Sequence, residues 1–172
     1  GELFAIVSGL SAGADKELAA ITRDAEIPVM GPVTLLTQAN AQNNRNLFYL
    51  LPGASQQARA LVNFAAGKPE LKKSKLAIVH SENELALAAA AAIEDQARKS
   101  GWTTITTKSF LNARFDAAST AAALKAEGVE TVVFLSASGD DAFISAAAAA
   151  NWTPHIFLLG SFARKDLVKT VP

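Results

Sequence analysis

The chain has no cysteine among its 172 residues, which excludes disulfide bonds, thiolate metal sites and a cysteine nucleophile. Histidine and tyrosine are scarce, with two and one residues, so few side chains are suited to acid–base catalysis. The 16 basic and 16 acidic residues give a net charge of +0, which argues against nucleic-acid partners and an anionic membrane surface. No apolar run reaches the roughly 18 residues of a membrane span.

What the chain does have is a high apolar content. Half of its residues are hydrophobic and 19% are charged, which predicts a globular protein of one domain or two small ones. Alanine is the most unusual feature, with 36 residues and runs at 88–92 and 146–150. Alanine has the best helix propensity, so these runs predict helices that pack closely on a sheet.

Short apolar runs alternate with segments of helical periodicity along the chain. Strands are predicted at residues 3–7, 27–30, 47–51, 76–80, 102–110, 131–135 and 156–159. Helices are predicted at residues 15–26, 55–66, 81–99, 116–127 and 140–150. For the third helix, Ser81 and Glu84 have the spacing of a capping box. Apolar strands alternating with helices indicate an α/β fold with parallel sheets covered on both faces.

A charged segment, KPELKKSK at residues 68–75, interrupts this pattern. The prediction is therefore a partial first lobe at residues 1–51, a crossing helix and linker at 52–74, and a second lobe at 75–172. The first block is too small for a complete lobe. We expect further strands to lie upstream of Gly1 or to come from another chain.

Polar or small residues recur just past the ends of the predicted strands. In open α/β sheets, ligands bind outside the carboxyl ends of the strands. Hydroxyls and free N–H groups at helix starts there can hold a carboxylate. The pattern therefore predicts binding without chemistry. The residues concerned are Ser8, Ser11, Gly31, Thr34, His80, Ser81, Ser136, Ser138, Gly160 and Ser161.

One alternative is enzymatic. The segment Gly9-Leu10-Ser11-Ala12-Gly13 matches G-x-S-x-G between a strand and a helix, the context of a nucleophile elbow with Ser11 as nucleophile. His155 precedes its strand and would lie at the wrong edge of the sheet. His80 lies at the correct edge, but the order Ser, acid, His along the chain of such hydrolases does not place the catalytic histidine there. A hydrolase therefore stays the alternative to a binding protein.

The sequence gives little evidence for a bound cofactor or metal ion. The two glycines of that turn are spaced GxxxG, not GxGxxG, and no P-loop lysine follows. His80 with Glu82 and Glu84 is more simply a strand end followed by a helix start. We therefore predict no cofactor and no metal ion.

The order of the segments resembles a known family. GELFAIVSGLSAG, EIPVMGPVT, NLFYLLPGASQQARALVNFA, KLAIVHSENELALAAAAAIEDQARKSGW and FDAASTAAALKAEGVETVVFLSASGDDAFISAAAAANWTPHIFLLGS follow in turn. This order is similar to the type I periplasmic binding proteins of the branched-chain amino acid receptor group of ABC importers. The resemblance covers nearly the whole chain. It implies Rossmann-like three-layer α/β/α lobes with parallel sheets, and a chain that is a fragment of such a receptor.

The resemblance also implies a ligand site in a cleft between the lobes. The first-lobe turn that holds the ligand carboxylate matches Leu10, Ser11, Ala12 and Gly13, and the second loop matches Thr34 with its neighbours Val33 and Leu35. In the second lobe, Leu85-Ala86 stands where the family usually has an aromatic-Gly pair. Phe162 stands after Ser161 where the family often has an acid for the ligand ammonium. The remaining candidates are the strand-end residues Ser136 and Ser138.

These residues lead to one functional prediction. The protein is expected to be the non-enzymatic, periplasmic solute-binding component of an ABC importer, with a membrane permease as partner and a small organic acid or amino-acid-like solute as ligand. Phe162 and Leu85 favour an aromatic or aliphatic acid. A sensory ligand-binding domain of the same fold is a further alternative.

The oligomeric state is also predicted. An apolar strand with a free edge can pair with another chain. We expect a homodimer, formed by pairing of strand 3–7 or by exchange of about the first 50 residues around a hinge at residues 37–46.

Overall fold

The computed structural model describes residues 3–11, 13–37 and 45–162. The contacts between residues divide the chain into two compact units, Gly1–Gln56 and Gln57–Pro172. Within the described residues, no helix has the length and apolar character needed to cross a bilayer.

The first unit is built on a small parallel sheet. Its strands follow the order β1-β2-β3, and both pairs are parallel. Its elements are β1 (Ile6–Val7), α1 (Asp15–Asp24), β2 (Val29–Met30), β3 (Leu47–Phe48) and the start of α2 (Ala54–Ala66), which continues into the second unit.

The strands of this unit are shorter than their apolar runs predict. Only Ile6 and Val7 pair within the predicted strand 3–7, while Leu3 and Phe4 are 58% and 92% exposed. The core is correspondingly small, because Ala19 of α1 packs against Val29 and Leu47 of the sheet. Most of the hinge predicted at residues 37–46 lies outside the described residues.

The second unit is larger and follows the predicted alternation closely. Its elements are α3 (Pro69–Lys72), β4 (Leu76–Ser81), α4 (Glu84–Lys99), β5 (Ile105–Phe110), a 3₁₀ turn (Asn112–Arg114), α5 (Ala117–Ala126), β6 (Thr131–Leu135), α6 (Asp140–Ala149) and β7 (His155–Leu158).

The four strands found between residues 57 and 162 run parallel, in the order β5-β4-β6-β7. The two central strands, β4 and β6, are buried along their whole length. A parallel sheet needs helices on both faces, which is why these strands are continuous apolar runs and do not alternate between apolar and polar residues.

Helices cover each face of this sheet. On one face, Val79 and Phe134 pack against Leu124 of α5 and Phe143 of α6. Side chains alternate between faces along a strand, so Ile78 and Val133 point to the other side, where α4 contacts β4 and β6. Alanines line the buried stripe of α4, because a side chain of one carbon lets the helix approach the sheet closely. The second unit therefore has the predicted three layers.

The predicted capping box at Ser81 is wrong. Ser81 is the last residue of β4, and the residue that caps α4 is Asn83, whose side chain accepts a hydrogen bond from the N–H of Ala86 at 2.9 Å. The strand pairs one residue further than predicted, since Ser81 lies opposite Phe110 in the sheet. Because Ser81 pairs with β5, its backbone stays extended and cannot begin the helix. Asn83, the next residue with a suitable capping side chain, caps the start of α4 instead.

Candidate functional site

In the first unit, the segments after β1 and β2 stay side by side past the ends of the strands. The N–H of Val33 donates to the carbonyl of Gly9 at 2.8 Å, and Leu10 pairs with Val33 in an isolated parallel bridge. Because Ser11 and Thr34 each follow that bridged pair, the structure brings these two predicted residues together at the carboxyl edge of the sheet. Both are only partly buried.

The rest of the predicted turn surrounds Ser11. Leu10 is 75% exposed, so its side chain is available at the edge. Gly13 has φ +96°, in the left-handed region that favours glycine, and no atom of the described neighbouring residues lies within 4 Å of where a Cβ would be. The residue is therefore required for the backbone turn. Ala12, another predicted ligand residue, lies outside the described residues.

A residue that the sequence interpretation missed also belongs to this edge. The hydroxyl of Ser11 donates to Oδ1 of Asp15 at 2.8 Å, and Asp15 is the first residue of α1 and only 3% exposed. An acidic residue in the first turn is favoured by the helix dipole, so the sequence alone suggested only a helix start. The spacing of four residues between Ser11 and Asp15 is the signal that could have indicated the contact.

In the second unit, the predicted residues lie at one edge because β4, β6 and β7 are neighbours. The ends of β4 and β6 are joined by the hydroxyl of Ser81, which donates to the carbonyl of Leu135 at 3.4 Å. Asn83 in turn donates to the Ser81 hydroxyl at 2.7 Å. Leu85 follows in the first turn of α4 and is partly buried.

The loop after β6 contains two predicted residues with different surroundings. Ser138 is exposed, whereas Ser136 is completely buried. The hydroxyl of Ser136 accepts from the N–H of Ser138 at 3.3 Å and donates to Oδ1 of Asn112 at 3.4 Å. Ser136 therefore holds the loop together by hydrogen bonds beneath the surface. Its partner Asn112, which the sequence interpretation missed, is the exposed polar group at this position.

After β7, the chain turns at Gly160 and Ser161 and places Phe162 inside. Phe162 is 5% exposed, and its N–H donates to the carbonyl of Leu159 at 2.8 Å. The hydroxyl of Ser161 is buried and has no hydrogen-bond partner within the described part of the chain. An apolar ring and an unused hydroxyl therefore occupy this turn.

The surroundings of Ser11 do not favour the hydrolase interpretation. A serine nucleophile needs a base that takes its proton, and the hydroxyl of Ser11 donates to a helix carboxylate. Both histidines belong to the second unit. Nδ1 of the buried His80 lies 3.0 Å from the carbonyl oxygen of Ser81, and His155 is exposed at the first residue of β7.

No group of three His, Asp or Glu side chains within the described ranges could hold a metal ion. Two surface hollows of the second unit, of about 530 and 430 Å³, lie around the amino ends of its strands, near Ser74, Thr104 and His155. They occupy the edge opposite to Ser136 and Phe162. Ligands of parallel sheets bind at the carboxyl ends, so the hollows do not belong to the candidate site.

Comparison with known protein families gives one match. The family model described as periplasmic binding protein matches residues 1–172. Among curated proteins, no sequence matches this chain.

Solved structures match over most of the chain. One, assigned to a branched-chain amino acid ABC transporter from Silicibacter pomeroyi, has a TM-score of 0.73 at 16% identity over 90% of this chain and 42% of its own. Another with that assignment, from Rhodospirillum rubrum, has a TM-score of 0.78 at 9% identity, covering 96% and 46%. A third is a solute-binding protein of an ABC transporter from R. palustris in complex with benzoate, with a TM-score of 0.72 at 15% identity, covering 98% and 47%.

These matches confirm the predicted fold class, in which parallel sheets form Rossmann-like α/β units of the type I periplasmic binding protein kind. The chain spans less than half the length of each of these three solved structures.

Proposed function

This chain belongs to the periplasmic binding protein family, and we propose that it is part of the solute-binding component of an ABC importer. The proposed role is to bind a small organic acid outside the cytoplasmic membrane and to deliver it to a membrane permease. It involves binding without chemistry. Because the chain spans under half the length of the structures it resembles, the role is proposed for the complete protein.

The observation that carries this proposal is the placement of polar groups at the carboxyl edge of each sheet. In the first unit, Ser11 and Thr34 lie side by side there, and both residues are partly exposed. In the second unit, Ser138 and the amide of Asn112 are exposed at the corresponding edge. Hydroxyl and amide groups at such edges suit a small polar solute.

The proposed ligand is a carboxylic acid without an α-amino group. A buried ammonium needs a compensating acceptor, and the buried side chain in the turn after β7 is the apolar ring of Phe162. Leu85 adds an aliphatic side chain at the same edge. The neighbour from R. palustris in complex with benzoate, an acid with no amino group, supports this choice.

The test is to measure binding of matched acids to the complete protein by calorimetry. We expect benzoate or 4-methylpentanoate to bind, and 4-methylpentanoate to bind more tightly than leucine, which differs from it by the amino group. A bound acid should also raise the unfolding temperature, since ligand at 100 times its Kd stabilises a protein by about 2.7 kcal/mol. Tighter binding of leucine would overturn the proposed ligand class. Failure of all these acids and amino acids to bind would overturn the importer role.

A further inference from the structure

The two hydroxyls at the edge of the first unit have opposite hydrogen-bonding roles. A hydroxyl has one hydrogen to donate and two lone pairs that accept. The hydrogen of Ser11 is used for Oδ1 of Asp15 at 2.8 Å. An ionised carboxylate can only accept, so Ser11 presents its lone pairs to anything that binds at the edge.

The surroundings of Asp15 hold this arrangement in place. Asp15 is 3% exposed, and its second oxygen, Oδ2, has no hydrogen-bond partner in the described part of the structure. A buried carboxylate that lost the hydrogen of Ser11 would be left without that compensation, which is costly. A ligand is therefore unable to draw the Ser11 hydrogen away from Asp15 without a large loss of free energy.

Thr34 has the complementary role. Its Oγ1 accepts the N–H of Leu36 at 2.9 Å, and within residues 3–11, 13–37 and 45–162 no acceptor takes its hydrogen. Thr34 can therefore donate to a ligand oxygen. Neighbouring strands lie about 4.8 Å apart, a spacing that substituents on adjacent carbons of one small ligand can bridge.

We infer that this edge selects a 2-hydroxy acid, with the carboxylate accepting from Thr34 and the hydroxyl donating to Ser11, and that Asp15 is the positioning residue that sets this preference. The inference rests on the proposed function. A 2-oxo acid offers only acceptors, so its carbonyl oxygen would face the lone pairs of Ser11. Discrimination against an ammonium is left to the apolar ring of Phe162, as in the proposed function.

The test compares three ligands with one carbon skeleton by calorimetry on the complete protein: 2-hydroxy-4-methylpentanoate, 4-methyl-2-oxopentanoate and 4-methylpentanoate. The wild-type protein should bind the hydroxy acid about tenfold more tightly than the oxo acid, the ratio that one net hydrogen bond gives. In Asp15→Asn the amide can donate or accept, so the role of Ser11 is no longer fixed. The ratio should then fall towards one.

Two controls separate specificity from folding. Asp24→Asn makes the same change of charge at the exposed far end of α1, where Asp24 pairs with Arg23, and should leave the ratio unchanged. Ser11→Ala should abolish the preference, and Ser11→Thr, which keeps the hydroxyl, should restore it. Unfolding temperatures of the ligand-free variants report any structural effect separately.

The outcomes are distinct. A ratio that stays the same in Asp15→Asn and in Ser11→Ala would overturn the inference while leaving the proposed function intact. So would a wild-type preference for the oxo acid. If none of the three acids binds the wild-type protein but benzoate does, this inference fails and the proposed function stands. If benzoate and leucine do not bind either, both fail.

Discussion

Replacement of Gly139 by alanine should destabilise the second unit strongly. Gly139 precedes α6 with φ +86°, in the left-handed region. A Cβ built there would lie 2.8 Å from Cδ1 and 3.1 Å from Cε1 of Phe115. The ring of Phe115 cannot move freely, because its centre lies 4.2 Å from that of Phe110 and 5.5 Å from that of Phe134.

The expected loss in the free energy of unfolding of Gly139→Ala has two parts. Alanine in the left-handed region costs about 1–2 kcal/mol. Inserting a methyl group into a packed core adds about 1–3 kcal/mol. Gly128 provides a matched control, because it has φ +70° at the end of α5 and a Cβ there would meet only Nζ of Lys75 at 3.5 Å. Gly128→Ala should therefore lose the first part alone.

Urea unfolding followed by tryptophan fluorescence measures this difference. Both tryptophans of the chain, Trp102 and Trp152, belong to the second unit, so the signal reports on the unit that carries the mutations. With a slope of about 1–3 kcal/mol per M, the midpoint of Gly139→Ala should lie about 1 M below that of Gly128→Ala. Equal midpoints would refute the argument, because they would mean that the aromatic cluster accommodates the extra methyl group without any loss in the free energy of unfolding.

Three further predictions concern smaller contacts. Asn83→Ala removes the side chain that caps Ala86 and should lower the free energy of unfolding by about 1 kcal/mol, whereas Asn83→Ser should retain most of it. Hydrogen bonding from Lys108 holds the pKa of the Glu127 carboxyl below its ordinary value, so this pair stabilises the protein above that ordinary pKa, and the benefit disappears as the pH falls through the lowered one. The stability difference between wild type and Lys108→Met, measured by urea unfolding, should accordingly shrink to nothing in acid; a difference that persists would contradict the assignment. The wild-type protein and Ser11→Ala should both show ester hydrolysis at the uncatalysed rate only. An esterase activity that depends on Ser11 would overturn the binding role.

The second unit was well predicted because its two central strands, β4 and β6, are buried on both faces. A short, continuous apolar run rich in β-branched residues, such as residues 131–135, is typical of a core strand between helices, and β6 has those bounds. The run at residues 3–7 looks similar but yields two paired residues. Apolar character alone does not show how much of a run finds a partner, and this depends on contacts distant in the sequence.

The candidate site was predictable in position but not in detail. Strand ends mark the carboxyl edge, and Ser11 and Thr34 lie there together. The sequence did not reveal that Asp15 takes the hydrogen of Ser11, or that Ser136 is buried beneath Asn112. The direction of a hydrogen bond and the burial of a single hydroxyl depend on three-dimensional packing, which hydrophobic periodicity does not describe.

The two-residue strands of the first unit have a consequence for amide hydrogen exchange. Strands of two residues are held by few backbone hydrogen bonds, whereas β4 is six residues long and lies between two partners. Short, partly exposed elements open locally at low free energy, while central strands exchange only through extensive unfolding. We expect the amide of Val7 to exchange much faster than that of Val79. A solute bound at Ser11 and Thr34 would have to order this labile segment, so part of its binding enthalpy would be offset by lost conformational entropy, and its arrival should be visible as slowed exchange at Ser8 and Gly31.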